Sequence, residues 1–206
     1  GEHTCAGSSD GCSSDVSALH VEISAMIAAP LVSDLNRAEA ARAQQRGTEN
    51  LEAWSLYQLG MQHANRYSRE DLAAARALFS QAAERDPQFA TALAQLVLAN
   101  LWDVVLGWNE TPAETVTASL ELARDAASLD PRDPAAQAAL GWAYTMSGDL
   151  DAGLDASRRA VELNPSMPEA WGWLSWTQLL TGELDDCIAA AQRTQRLDPQ
   201  GVYALI

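Results

Sequence analysis

From residue 51 to residue 199 apolar positions recur at spacings of three and four, and the pattern restarts at fixed intervals. Leu129-Asp130-Pro131, Leu163-Asn164-Pro165 and Leu197-Asp198-Pro199 close successive blocks, each proline standing 34 residues after the one before. Arg85-Asp86-Pro87 is an earlier copy, 44 residues ahead of Pro131, so one block is longer than the others. Between these closings the periodicity predicts helices near residues 51–66, 69–85, 88–107, 112–129, 134–147, 150–163, 167–181 and 184–197. Paired helices repeated in register predict an all-α superhelix, a solenoid of four helical hairpins. The array spans residues 47–199, with blocks at about 51–87, 88–131, 132–165 and 166–199.

Punctuation supports the same division. Thr111-Pro112-Ala113-Glu114 offers a capping hydroxyl, a proline at the first helical position and an acid near the helix start. Ser68 with Asp71, Asp133 with Pro134, and Ser166 with Glu169 repeat the device. Gly148 and Gly182, again 34 residues apart, mark turns through a left-handed conformation. Ahead of the array, residues 1–14 are rich in Gly, Ser and Asp and read as coil or the remnant of a strand. Residues 15–46 read as an N-terminal helical segment, with Val16, Leu19, Ile23, Met26 and Ile27 on one face, Asp15 as its cap and Pro30 interrupting it. Residues 200–206 resemble the opening of a further first helix.

Each hairpin's first helix is apolar on two faces. One stripe holds Leu56, Leu59, Leu93, Leu96, Leu140, Tyr144, Trp171 and Leu174, and is expected to pack the repeats together. A second stripe holds Trp54, Tyr57 and Met61, then Leu98, Leu101 and Trp102, then Trp142 and Met146, then Trp176, Leu179 and Leu180. If open, that strip exceeds the roughly 300–600 Å² apolar patch that monomers usually expose, so a ligand, a second copy or a neighbouring domain is expected to cover it. The alternative is a superhelix tight enough, or a residue 15–46 segment placed so, that the strip is internal core.

Charge narrows the partners. A net charge of −15, from 28 acids against 13 basic residues, repels phosphate backbones and disfavours nucleic acid. No apolar run approaches the roughly 20 residues that span a bilayer. His3, Cys5, Cys12 and His20 contain donor types for zinc but lack the close Cys-x2-Cys clip, so surface thiols or a disulfide are the preferred reading. Cys187 reads as core. The acids after Gly148 and Gly182 lack calcium-loop spacing and suit helix starts instead. Phosphate-loop and metalloprotease motifs are absent from the sequence, and His3, His20 and His63 are scattered. No cofactor and no metal are expected, and the chain reads as non-catalytic.

The 34-residue register resembles the tetratricopeptide repeat, on Ala75, Phe79 and Ala82 in the first unit and Leu140, Gly141, Tyr144 and Ala160 in the third, with Trp171 and Leu174 opening the fourth. Val97 and Ser175 stand where the family has glycine, and Ser119, Gly153 and Thr194 where it has alanine. The resemblance implies an αα-superhelix whose second stripe lines a ligand groove: Trp54, Tyr57, Met61, Leu98, Trp102, Trp142, Met146, Trp176 and Leu179. A narrower resemblance rests on Gly1-Glu2-His3, Asp15 to Ile23, Asn50 to Trp54 and Asp86 to Ala90. These are similar to regions of bacterial class III adenylate or guanylate cyclases with repeat tails, and of winged-helix regulators of the membrane type. It implies a fragment of a larger signalling protein, cytoplasmic, or periplasmic if the parent is a membrane-anchored regulator. The expected function is protein–protein interaction or regulation, with an extended apolar peptide, a second copy or another domain of the same polypeptide as partner in the Trp-lined groove. The alternatives are the regulatory tail of a cyclase or of a transcription regulator, and a self-assembly module.

Overall fold

The computed structural model describes residues 48–201. The expectations for residues 1–14 and 15–46, the His3, Cys5, Cys12 and His20 set, and residues 202–206 lie outside the described residues. Eight helices follow one another among the described residues: α1 Leu51–Ala64, α2 Arg69–Arg85, α3 Ala90–Val105, α4 Pro112–Leu129, α5 Pro134–Ser147, α6 Leu150–Leu163, α7 Pro168–Thr181 and α8 Leu184–Leu197. No strand occurs among those residues. Helix ends agree with the periodic reading to within two residues.

The recurring Asx-Pro phrase is a chemical device. At the ends of α2, α4, α6 and α8, the N–H groups of Asp86, Asp130, Asn164 and Asp198 make the last helical bonds, to the carbonyls of Ala82, Ala126, Ala160 and Thr194. The proline that follows has no N–H to continue the ladder. The side-chain oxygens of Asp86, Asp130 and Asn164 then accept from the amides of Gln88, Arg132 and Ser166 at 3.0, 2.9 and 3.0 Å. Their own carbonyls accept from the amides of Phe89, Asp133 and Met167, which turns the chain into the next hairpin.

Turns inside the hairpins use another device. Gly148 and Gly182 adopt φ of 90° and 81° two residues before the next helix. In the first hairpin that place belongs to Tyr67, at φ 51°, where a bulky side chain costs roughly 1–3 kcal/mol of strain. Its ring packs edge-on against Trp102 with centroids 5.6 Å apart. After α3 the connection to α4 is longer and accounts for residues added to the second block. Buried Asp103 organises it: its carboxylate accepts from Arg76 at 2.6 Å and Asn109 at 2.9 Å, and its carbonyl accepts from the amides of Trp108 and Asn109.

Ser68, Asp133 and Asp149 cap their helices as their sequence positions suggest, accepting from the amides of Asp71, Ala135 and Ala152. Thr111 and Ser166 do not. The Thr111 side chain makes no capping bond, and the Asn109 side-chain carbonyl instead gathers the Thr111 amide and the Thr115 hydroxyl. The N-cap of α7 is Met167 rather than Ser166, whose amide is taken by Asn164.

Neighbouring hairpins pack first helix on first helix, α3 on α5 and α5 on α7. Small residues bring the paired helices close: a Cβ added to Gly141 would lie 2.3 Å from the Ser157 hydroxyl and 2.8 Å from its backbone nitrogen. Thr145 and Thr177 join α5 to α7 through a 2.8 Å hydroxyl contact, each also bonding a carbonyl of its own helix. Two polar substitutions within the repeat pattern are absorbed in the same way, Ser175 donating to the Gly172 carbonyl and Thr194 to the Ala190 carbonyl. Leu154 on α6 is 6% exposed, whereas Ile188, its counterpart 34 residues later on α8, is 56% exposed. Leu184 repeats Leu150 and is also exposed.

The tight α5–α6 crossing gives a direct test. Gly→Ala in a helix interior ordinarily stabilises by about 1 kcal/mol, but here the new methyl meets backbone as well as a hydroxyl. Gly141→Ala is expected to lower unfolding free energy by about 1–3 kcal/mol in urea titrations. An unchanged or higher stability contradicts the close crossing.

Candidate binding site

The second stripe divides into a closed middle and open ends. Leu98, Leu101, Trp102 and Trp142 are buried, Trp142 at 1% exposure. Trp54, Tyr57, Met61, Met146 and Trp176 are half-buried, and Leu179 is exposed at 48%. The strip is thus internal core at Trp142 and partly open at Trp176, one repeat later. The Trp142 ring stacks on Trp173, with centroids 3.6 Å apart and planes 14° from parallel. Trp102 stands edge-on to both, at 5.5 and 5.4 Å. Trp142 thus lies within the aromatic interior, and its indole is withheld from a ligand approaching this arrangement.

Sequence reasoning misses Trp173 because it falls between the two stripes, and Tyr67 because it replaces a turn glycine. The signal for Tyr67 is positional, two residues ahead of a helix where Gly148 and Gly182 stand. Glu169 reads from sequence only as a helix-start acid.

An opening remains between α1 and α3. Their apolar contact is centred on Phe89 and Ala92, which pack with Ala53, Trp54 and Tyr57. Toward the other end of the two helices a small pocket, with a cavity volume of about 40 Å³, separates Met61 from Leu98 and Trp102. Tyr67 and Gln95 contribute to its wall, and Glu169 reaches it from the first turn of α7. Of the stripe residues, the pocket brings together Met61, Leu98 and Trp102. It does not include Trp54, Tyr57, Trp142, Met146, Trp176 or Leu179.

Charge around this opening is negative. Burial pushes the Glu169 carboxyl above its usual range, opposed by its own backbone amide and reinforced by Asp198. Burial likewise raises Asp133, against the hydrogen bond it accepts from Thr91 at 2.6 Å. The Tyr57 phenol is pushed up to about 12, first by burial and then by the charges of Asp133 and Glu169. Among the described residues Glu169 forms no ion pair, while five other carboxylates, Glu52, Asp71, Asp103, Glu162 and Glu183, each hold an arginine.

Among the described residues one cluster has the residue types of a hydrolytic triad but not its order. Ser68, Asp71 and His63 cluster, but Asp71 lies between the other two, accepting from Ser68 at 2.8 Å and contacting His63 at 2.7 Å. A base placed to activate the serine would require histidine in the middle. His63 and Ser68, with Arg66, hold the Asp71 carboxyl below its ordinary range, as expected of a helix-start ion cluster. No group of three or more His, Cys, Asp or Glu side chains suited to a metal ion occurs among the described residues. No described helix is long and apolar enough to cross a membrane.

Comparison with known proteins places this arrangement. The tetratricopeptide repeat family model matches residues 116–168 and 147–202. TTC0263, a tetratricopeptide repeat protein of Thermus thermophilus, superposes with a TM-score of 0.59 at 19% identity, over 82% of this chain and 88% of its own. A chain from the structure of Naa15/Naa10 bound to HypK-THB gives a TM-score of 0.51 at 14% identity, over 72% of this chain and 20% of its own. At these identities the likeness is one of fold. Comparison with curated proteins gives no match. Residues 116–202 therefore match the tetratricopeptide repeat family model, and the described helices share the αα-superhelical fold of its solved members.

Proposed function

We propose that this array is a non-catalytic interaction module that takes a peptide segment of a partner protein at the opening between α1 and α3. The observation that supports it is the pocket itself: apolar walls from Met61, Leu98 and Trp102, with polar groups from Gln95 and Glu169 converging on the same space. Trp54, Tyr57, Met146, Trp176 and Leu179 flank or extend the stripe and serve as outlying contacts. Trp142 acts through packing, by holding Trp173 and Trp102 in place. The acidic exterior keeps anionic partners away.

Resemblance to repeat tails of cyclases and winged-helix regulators supports a place in a larger cytoplasmic signalling polypeptide, with a segment of a neighbouring domain as the alternative occupant. Much of that resemblance falls on Gly1 to Ile23, outside the described residues. Coding sequence upstream of Gly1 decides between the two parents: paired metal-binding aspartates mark a cyclase and a basic winged helix marks a regulator.

A second reading, self-assembly, has its own observation in the exposed apolar side chains Leu179, Leu180, Leu184 and Ile188 on the last hairpin. Light scattering tests it. A mass above the 22.1 kDa monomer that returns to monomer in Leu184→Glu/Ile188→Glu favours association through this face. A monomer at all concentrations removes that reading.

The pocket reading is tested with a displayed library of random peptides selected against the protein. Selected peptides are expected to lose affinity by about tenfold or more, some 1.4 kcal/mol, against Met61→Trp, which fills the space. Asn65→Trp, at an exposed position on the rim, gives the same test should the first variant fold poorly. Peptides that bind both variants as tightly as the unaltered protein contradict the site.

A further inference from the structure

We propose that the pocket between α1 and α3 receives the basic side chain of a lysine in the bound peptide, with the Glu169 carboxylate as its counter-ion. The inference rests on the pocket reading above and adds the chemistry of what enters. Its first support is composition. Tyr67, Trp102 and Phe79 supply aromatic surface to a space that also holds one carboxylate. Aromatic faces and an anion attract the same kind of group, a cation, and the attraction grows as water is excluded.

Charge balance is the second support. Arg66, Arg76, Arg85, Arg158 and Arg159 each pair with an acid elsewhere, and none of these reaches Glu169. The titratable groups that bear on the site are Tyr57, Asp133 and Asp198, which are neutral or anionic. Glu169 is thus a carboxylate in a part-apolar setting with one like charge, Asp198, bearing on it, which a bound cation would relieve. The protein contains no lysine of its own, all 13 of its basic residues being arginine, so no internal ammonium competes for the place.

Geometry is the third. Glu169 belongs to the fourth hairpin, whereas Met61 and Tyr67 belong to the first. Trp173 lies four residues after Glu169 on the same face of α7 and is in ring contact with Trp102, which itself lines the pocket. The carboxylate is therefore positioned by packing across three first helices. A compact ammonium on a flexible apolar stem suits a narrow, apolar-walled space with a single carboxylate better than the planar fork of a guanidinium.

n-Butylammonium, a lysine side-chain mimic, is the probe, with butan-1-ol and butyrate as neutral and anionic counterparts, followed by protein NMR. Butylammonium is expected to give saturable shifts at Tyr67, Gln95 and Trp102, with affinity reduced by about fivefold or more in Glu169→Gln and unchanged in Asp125→Asn, an exposed acid on α4. Binding requires ionised Glu169, so the shifts should fade as pH falls through its raised value, toward the ordinary 4.5, while any butanol shifts persist. That titration on the unaltered protein carries the test should Glu169→Gln fail to fold. Equal loss in Glu169→Gln and Asp125→Asn overturns the inference, as does equal binding of butanol. Library peptides that lose affinity for Met61→Trp but not for Glu169→Gln also overturn it while leaving the pocket reading intact. Peptides indifferent to both variants sink the pocket reading instead.

Discussion

The contact on which most of the structure depends is the stack of Trp142 on Trp173, with Trp102 edge-on to both. Repeat arrays are held together by nearest-neighbour interfaces, and elsewhere in this one those interfaces combine closely packed alanine, glycine and hydroxyl side chains with single leucines, valines and phenylalanines. Three indoles from three successive hairpins replace that regular packing with one shared aromatic block. Rings in offset or edge-on contact add about 0.5–1.5 kcal/mol per pair beyond the area they bury. Their arrangement fixes the rotation of α7 relative to α3, and so determines where Glu169, one turn before Trp173, can point. Packing and the chemistry of the pocket are consequences of the same contact.

The first hairpin departs from this regularity. Its own small cluster gathers on Phe89 at one end of α1, and the other end stands off from α3 and leaves the pocket. Tyr67 occupies a left-handed turn position that glycine fills in later hairpins, and its ring rests on Trp102 at the pocket wall. Strain retained beside an opening is consistent with a ligand-facing role, because glycine at that place would remove the strain and the wall together.

Fold is largely legible in the sequence because its signals are local. The Asx-Pro phrase encodes a turn with its own hydrogen bonds, and Gly148 and Gly182 encode left-handed caps, so the helices can be placed from single residues. Thr111 and Ser166 show the limit of that logic, since neither hydroxyl caps its helix and the side chains of Asn109 and Asn164 instead accept from the amides of Thr111 and Ser166 themselves. The site is less legible. Heptad-like stripes tell which residues share a face of one helix, not how tightly successive helices wind. That winding is set by contacts such as Thr145 to Thr177 and Trp142 to Trp173, between residues about one repeat apart whose pairing no periodicity reveals. Hence Trp142, whose stripe the sequence leaves as either groove or core, lies inside, while Glu169, which reads as a helix-start acid, and Tyr67, which carries no sequence signal beyond its position, line the opening.

The aromatic block uniting three hairpins is probed most directly by equilibrium unfolding of Trp173→Ala in urea, followed by far- and near-ultraviolet circular dichroism. The unaltered protein should lose both signals in one coincident transition, and the variant should be less stable by about 3–5 kcal/mol. A change below about 1 kcal/mol would contradict the central place given to that block. So would separate transitions for the two signals in the unaltered protein.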